Sequence, residues 1–187
     1  MIIAGVDEAG RGALAGPVVA ACVVFPLGFT SSLVCDSKQL TSRQRQLAYD
    51  VIMSSCCVGI SSISARKIDH INVLNATLLA MVLSVKKLGV RPDLVKVDGH
   101  ISPQYQSLTF ESIVKGDQRV KEISAASIVA KVTRDSIMSR CHQRLPEYGF
   151  DSHKGYGTKD HYDAIFSYGV SFLHRKSFNL NRQLSFI

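Results

Sequence analysis

The sequence lacks a cysteine framework of any recognisable kind. Its five cysteines form an odd set, with no C-x-x-C pair and no spacing typical of a zinc site. Cys22, Cys56 and Cys57 lie in apolar stretches, and we predict that they pack as small core residues. This pattern argues against structural disulfides and favours a reducing compartment.

Long hydrophobic runs are also absent. The longest apolar stretches, around residues 17–26 and 76–85, are about half as long as a bilayer crossing requires. The N-terminus has no basic segment, and it reaches Asp7 and Glu8 before any apolar run is long enough for a signal peptide. We therefore expect a cytoplasmic protein without a membrane partner.

The chain has no internal repeat, low-complexity tract or linker that would mark a domain boundary. Its 187 residues, 46% of them hydrophobic, are enough for one globular core, so we expect a single domain over residues 1–187 and a monomer. Acids are few, since 15 Asp and Glu stand against 22 Lys and Arg, a formal charge of +7. A surface of this sign is expected to attract a polyanion such as a nucleic acid.

Two of these acids are adjacent and follow a short apolar run. Asp7 and Glu8 stand where the predicted first strand leaves the core. Neighbouring carboxylates repel each other unless a cation shares them, so the pair indicates a hard-cation site, with a solvated strand end as the alternative. The Gly-Arg-Gly segment at 10–12 adds a backbone that a ligand can approach closely and a guanidinium suited to phosphate. Together these features favour metal-dependent chemistry on a phosphodiester.

The hydrophobic pattern predicts an α/β fold with a mixed sheet and helices packed on it. A second strand over residues 17–25 should form an antiparallel hairpin with the first, because the connection is short. The order β-β-α-β-α-β-β-α continues with a helix from Thr41 or Ser42 to about Ile52, a strand around 56–63, one helix over 65–88, strands at 94–97 and 108–114, and a helix over 123–145.

Two further acids occupy positions like that of Asp7. Asp98 follows the strand at 94–97, and Asp117 follows the strand at 108–114. Because strand ends can converge at one sheet edge, three segments can deliver four carboxylates to one place. Four oxygen donors without a Cys/His set select Mg²⁺ or Mn²⁺. Two such ions about 4 Å apart can activate water and stabilise the leaving oxygen of an in-line displacement.

Seven short motifs follow one another along the chain: DEAGRG at 7–12, DSKQL at 36–40, IDHIN at 68–72, VDG at 97–99, KGD at 115–117, ISAASIVAKVTRD at 123–135 and HKGY at 153–156. In this order, and over essentially the whole chain, they resemble the motif series of bacterial ribonuclease HII. The departures are Ala13, where the family usually has proline, and Leu180-Asn181, where Pro-Val commonly follows the basic-Ser-Phe element at 175–178.

The resemblance implies a ribonuclease H-like fold, a mixed central β-sheet flanked by helices with a helical C-terminal part. It implies hydrolysis of the RNA strand of RNA–DNA hybrids and incision 5′ of single ribonucleotides in duplex DNA, leaving 3′-hydroxyl and 5′-phosphate ends. A divalent cation, Mg²⁺ or Mn²⁺, is the implied cofactor. The implied metal-binding and catalytic acids are Asp7, Glu8, Asp98 and Asp117, and the implied substrate-binding residues are Gly10, Arg11, Gly12 and Tyr156.

Other residues have open interpretations. Lys38 is a candidate for contact with a backbone phosphate, although a solvated loop explains it nearly as well. The segment Ser124–Val132 is expected to serve helix packing. Arg134 with Asp135 is a candidate neighbour pair at the surface, and an approach of Asp135 to the metal cluster is a second interpretation, ranked well below the four acids. The end of the chain, QLSFI at 183–187, loosely resembles peptides that dock on the sliding clamp. Packing of this terminus against the body is the preferred alternative.

Two other functions compete with type HII. Ribonuclease HIII typically carries an extra N-terminal domain and lacks arginine in the glycine motif, whereas here the acid motif begins at residue 7 and Arg11 is present. A catalytically silent hybrid-binding module would be expected to have lost one of the acids, and none is lost. Both comparisons favour an active ribonuclease of type HII.

Overall fold

A five-stranded mixed sheet forms the centre of the computed structural model, which describes residues 1–34, 40–105 and 108–181. The strand order is β3-β2-β1-β4-β5. β1, β2 and β3 are antiparallel, and β4 and β5 run parallel to β1, so the predicted hairpin and mixed sheet are confirmed. The strands are β1 (Ile3–Ala9), β2 (Val18–Val24), β3 (Cys57–Ile63), β4 (Leu94–Asp98) and β5 (Phe110–Ile113).

Helices cover both faces of this sheet, which explains why every residue of β2 is buried. Alternate residues of β2 pack against α2 and α3 on one face and against α1 and α5 on the other. The helices are α1 (Ser42–Ser55), α2 (Ala65–Ile71), α3 (Val73–Lys86), α4 (Gly116–Arg119), α5 (Lys121–Arg144), α6 (Phe150–His153) and α7 (Lys159–Tyr168), with a 3₁₀ turn at Pro146–Tyr148.

The cysteine predictions are confirmed only in part. Cys22 is fully buried in β2. Cys56 is half-buried at the end of α1, and Cys57 is exposed. The prediction for Cys57 was wrong because this residue begins β3, which pairs with β2 and is an edge strand of the sheet that the described residues form.

The predicted continuous helix over 65–88 is two helices. Asn72 has a φ of +62°, outside the helical region, and its side chain accepts a hydrogen bond from the N–H of Asn75 at 3.0 Å. It therefore ends α2 and caps α3. Among the described residues no single helix is long and apolar enough to cross a membrane; α2 and α3 together have the length and composition, but they are bent by 117°.

A close contact between β1 and α5 positions the functional residues. Gly5 faces the start of α5, and a Cβ built on it would lie 2.1 Å from the carbonyl carbon of Glu122. Only glycine allows the two backbones to approach this closely. As a result α5 crosses directly over the strand that carries Asp7 and Glu8.

Candidate active site

Asp7 and Asp98 lie side by side on the sheet face that α5 covers. Val6 and Val97 are partners in the parallel register of β1 and β4, and both pack into the core on the opposite face. Side chains alternate along a strand, so the following residues, Asp7 and Asp98, project towards α5. Asp7 is only 6% exposed, and the hydroxyl of Ser127 on α5 donates a hydrogen bond to it. This contact of Ser127 is additional to the helix packing expected of that residue.

Asp117 reaches the same region from a helix. Its position after β5 was expected, but the chain first turns through Lys115, which has a left-handed φ of +54°, and then enters α4. The Asp98 carboxylate accepts hydrogen bonds from the N–H groups of Gly116, at 2.7 Å, and Asp117, at 3.4 Å. Asp98 thus fixes the first turn of α4, and Asp117 lies buried beside it.

The surroundings of Asp7 and Glu8 disfavour the ionised form of both side chains. The pKa of Asp7 is raised well above its usual value, first by burial and then by the charges of Glu8 and Asp98. Burial also raises the pKa of Glu8, although Arg11 opposes the shift through an ion pair of 3.2 Å with Oε1. The charge of Asp98 therefore opposes ionisation of both Asp7 and Glu8, and a bound cation would offset this repulsion.

The four acids have the donor atoms that a hard divalent cation prefers, but they are spaced more widely than the ligands of a single ion. Asp7, Glu8, Asp98 and Asp117 offer only oxygen donors, as Mg²⁺ and Mn²⁺ prefer. Within residues 1–34, 40–105 and 108–181, however, no three His, Cys, Asp or Glu side chains are gathered tightly enough to hold one ion. The carboxylates converge on one region of the sheet in a more open arrangement than a closed metal site has.

A cleft of about 400 Å³ adjoins these acids. Glu8 and the glycine loop, residues 10–12, form one side, and Lys131 and Tyr156 contribute to the lining. Tyr156 is 37% exposed, and its ring lies 5.1 Å from the guanidinium of Arg134 and 6.0 Å from Nζ of Lys131. The fold thus brings Tyr156 to the glycine loop, although the two are far apart in the sequence.

Two buried histidines hold the main chain of Tyr156. The Tyr156 carbonyl accepts from Nδ1 of His161 at 2.9 Å, so Nε2 of neutral His161 accepts from Nε2 of His174 at 3.1 Å. His174 in turn accepts from the N–H of Ser171 at Nδ1. Burial lowers the pKa of each histidine to about 4, so both are neutral at pH 7. The hydrogen bonds therefore all donate in one direction, from Ser171 through His174 and His161 to the Tyr156 carbonyl.

The expected surface pair of Arg134 and Asp135 was wrong. Asp135 pairs with Lys131, one turn earlier on α5, at 2.9 Å. Arg134 is fully buried and donates to the carbonyls of Pro17, Lys154 and Ala15 at 2.9, 2.9 and 3.1 Å. Hydrophobic periodicity does not reveal such a residue, because it treats every arginine as a surface residue.

Two sequence predictions lie outside the described residues. They are the phosphate contact of Lys38 and the clamp-docking peptide at 183–187. Both stay predictions, as does the monomeric state.

The architecture defines the class of this protein. A ribonuclease H2 from Pyrococcus horikoshii OT3 superimposes with a TM-score of 0.80 at 27% identity, over 97% of this chain and 96% of that one. The Bst-RNase HIII structure in complex with Mn²⁺ shares the fold at a TM-score of 0.73, with 15% identity, over 96% of this chain and 68% of that one. The chain therefore has the ribonuclease H-like α/β fold.

The particular family follows from sequence. The profile of the ribonuclease HII family matches residues 4–181. Ribonuclease HII of Coxiella burnetii is 46% identical over 185 residues, which cover 98% of this chain and 91% of that protein. The chain belongs to the ribonuclease HII family, and it is an endonuclease that hydrolyses the RNA strand of RNA–DNA hybrids.

Proposed function

We propose that this ribonuclease also incises duplex DNA on the 5′ side of a single embedded ribonucleotide, and that both activities depend on Mg²⁺ or Mn²⁺ held by Asp7, Glu8, Asp98 and Asp117. The products are 3′-hydroxyl and 5′-phosphate ends. The observation that carries the proposal is the cleft that joins Glu8, the glycine loop and Tyr156. In this cleft a single nucleotide can contact the recognition groups and Glu8 together.

The acid cluster supports the metal requirement. The raised pKa values of Asp7 and Glu8 reflect burial and the nearby charge of Asp98, and a divalent cation offsets these effects. When bound, the cation supplies an activated water and stabilises the leaving oxygen. The oxygen-only donor set favours Mg²⁺ and Mn²⁺ over zinc. The Bst-RNase HIII neighbour, which shares the fold, contains Mn²⁺.

Recognition of one ribonucleotide requires the reading of one 2′-hydroxyl. Main-chain groups of the glycine loop can approach that hydroxyl closely, since a Cβ placed on Gly12 would meet no atom of the described residues within 4 Å. The Tyr156 hydroxyl offers a second partner, and its ring offers a surface for the sugar. Arg11 and Lys131 bring positive charge to the phosphates on either side.

The test uses the purified protein and three duplexes: an RNA–DNA hybrid, DNA with one ribonucleotide, and the same sequence in all-DNA form. In Mg²⁺ or Mn²⁺ we expect cleavage of the first two, with a single incision 5′ of the ribonucleotide, and none in EDTA. Cleavage of the hybrid alone would overturn the proposed incision activity. Undiminished cleavage in EDTA would overturn the metal requirement.

Substitutions at Tyr156 test the recognition half of the proposal. Tyr156→Phe removes one hydroxyl, so we expect kcat/KM on the single-ribonucleotide duplex to fall about fivefold, the equivalent of one hydrogen bond of about 1 kcal/mol. Tyr156→Ala should cost more, because the ring surface is lost as well. The matched control is Tyr105→Ala, since Tyr105 is similarly exposed at 39% and also lies against a cation, Lys86, but away from the cleft. Wild-type rates for both Tyr156 variants would remove Tyr156 from the site.

A further inference from the structure

A buried arginine in the C-terminal part of the chain forms hydrogen bonds with the main chain of the glycine loop. Arg175 is 0% exposed, and its guanidinium donates to the carbonyls of Gly10 and Arg11, each at 2.7 Å, and to the carbonyl of Gly16 at 3.0 and 3.1 Å. All of these bonds end on main-chain oxygens. A fully buried cation is costly to maintain, so an arginine kept here must stabilise a specific arrangement of the loop.

The hydrogen bonds of Arg175 determine the direction in which the N–H groups of the loop point. A trans peptide unit is planar, with its carbonyl and its N–H directed oppositely. Because Arg175 draws in the carbonyls of Gly10 and Arg11, the N–H groups of Arg11 and Gly12 point away from the protein interior. The carbonyl of Gly10 also accepts from the N–H of Ala13 at 3.4 Å, so Arg11 and Gly12 are the central residues of a turn. Within the described part of the chain, neither of their N–H groups donates to a protein acceptor.

The segment that carries Arg175 is itself anchored. The carboxylate of Asp69 on α2 accepts from the N–H of Lys176 at 3.0 Å, the N–H of Ser177 at 2.9 Å and the hydroxyl of Ser177 at 2.6 Å. These bonds fix the residues that directly follow Arg175 beneath the loop. They give a structural role to two motifs that the acid cluster leaves unexplained, the one around Asp69 and the one at 175–178.

We infer that Arg175 is a positioning residue for ribonucleotide recognition: by fixing two peptide units of the glycine loop, it presents the N–H groups of Arg11 and Gly12 to the 2′-hydroxyl. The inference rests on the proposed function, in which this loop reads the ribonucleotide. The hydrogen bonds that the structure describes for the Arg175 guanidinium all end on main-chain carbonyls of the loop and of Gly16, so Arg175 acts through the loop. Its contribution is to hold the loop in the binding conformation before the substrate arrives.

The test is Arg175→Lys, which keeps a positive charge but replaces the planar fork with a single ammonium that cannot hold three carbonyls in the same geometry. Dissociation constants are measured in EDTA for the single-ribonucleotide duplex and for the all-DNA duplex of the same sequence. The preference for the ribonucleotide is the ratio of the two dissociation constants. We expect Arg175→Lys to lower this ratio by about tenfold, or to abolish the preference where the wild-type ratio is below about ten. The affinity for the all-DNA duplex should change by less than about twofold.

Loss of stability alone must be separated from loss of positioning. Val85→Ala is the control, because Val85 is a buried core residue of α3 on the opposite face of the sheet, and its truncation lowers the melting temperature without touching the loop. It should keep the ribonucleotide preference. If Arg175→Lys does not fold, Asp69→Asn applies the same test, since it loosens the segment at a partly exposed anchor and is expected to reduce the preference in the same direction.

The outcomes are distinct. A folded Arg175→Lys protein, or in its place Asp69→Asn, that keeps the full preference would overturn the inference and leave the proposed function standing. A wild-type protein that binds both duplexes equally would overturn the proposed recognition itself, and the role of Arg175 with it.

Discussion

Replacing Asp7 with asparagine should abolish hydrolysis of RNA–DNA hybrids and at the same time raise the free energy of unfolding. Asp7 is buried, and its raised pKa records the cost of placing a charge beside Glu8 and Asp98. Asparagine keeps the shape and an acceptor oxygen for Ser127 but removes that charge. We expect a measurable gain in the free energy of unfolding in metal-free buffer and a loss of activity of at least about 1000-fold in Mg²⁺.

The measurement pairs thermal or denaturant unfolding in EDTA with a cleavage assay in Mg²⁺. Asp50→Asn, which alters an exposed carboxylate on α1, is the control and should change neither result. Mg²⁺ should raise the melting temperature of the wild-type protein more than that of Asp7→Asn, because the variant offers one ligand fewer. Near-normal turnover would remove Asp7 from the catalytic set. A clear loss of stability would contradict the electrostatic account.

The pH dependence of stability independently tests whether the charge of Asp7 lowers the free energy of unfolding. The pKa of Asp7 is higher in the folded than in the unfolded protein, so the folded state binds the proton more tightly. The penalty is therefore complete above the raised pKa and disappears as pH falls towards the unfolded value near 3.8. In EDTA the stability advantage of Asp7→Asn over the wild-type protein should shrink as the pH is lowered from 8 towards 4.

The acids were predictable from sequence because their signal is local. An apolar run followed by charges predicts a strand end, and the structure has strands at each of the three predicted places. Parallel pairing of β1 with β4 then brings Asp7 and Asp98 together. The position of Asp117 on α4 was harder to predict from the sequence. The turn before α4 depends on the left-handed conformation of Lys115 and on hydrogen bonds to the carboxylate of Asp98, which belongs to a different strand.

The parts that sequence analysis missed depend on contacts between distant segments. Nothing local distinguishes Arg134 or Arg175 from a solvated arginine, since burial and carbonyl partners come only from the assembled fold. The break at Asn72 was missed for the opposite reason. Apolar residues continue in helical spacing on both sides of it, and that spacing outweighed the weak capping signal of a single asparagine.

Replacing Gly5 with alanine should lower both stability and activity, although this residue lies two positions from the nearest acid. A Cβ on Gly5 would lie 2.1 Å from the carbonyl carbon of Glu122 and 2.2 Å from the nitrogen of Ile123, both backbone atoms at the start of α5. Gly5→Ala must therefore push β1 and α5 apart. We expect a loss of about 2–5 kcal/mol in the free energy of unfolding. The fraction that stays folded should cleave at least about tenfold more slowly, because the distance between Asp7 and Ser127 changes with the helix position.

Gly59→Ala provides the matched control for this prediction. Its Cβ would lie 2.1 Å from the carbonyl oxygen of Ser84, so β3 and α3 would be forced apart in the same way, but on the face of the sheet opposite α5. Both variants should unfold at lower denaturant concentration than the wild-type protein. Only Gly5→Ala should lose activity once rates are normalised to the folded fraction measured by circular dichroism. Equal normalised rates for the two variants would mean that the spacing of β1 and α5 serves stability alone, and that the acids tolerate its change.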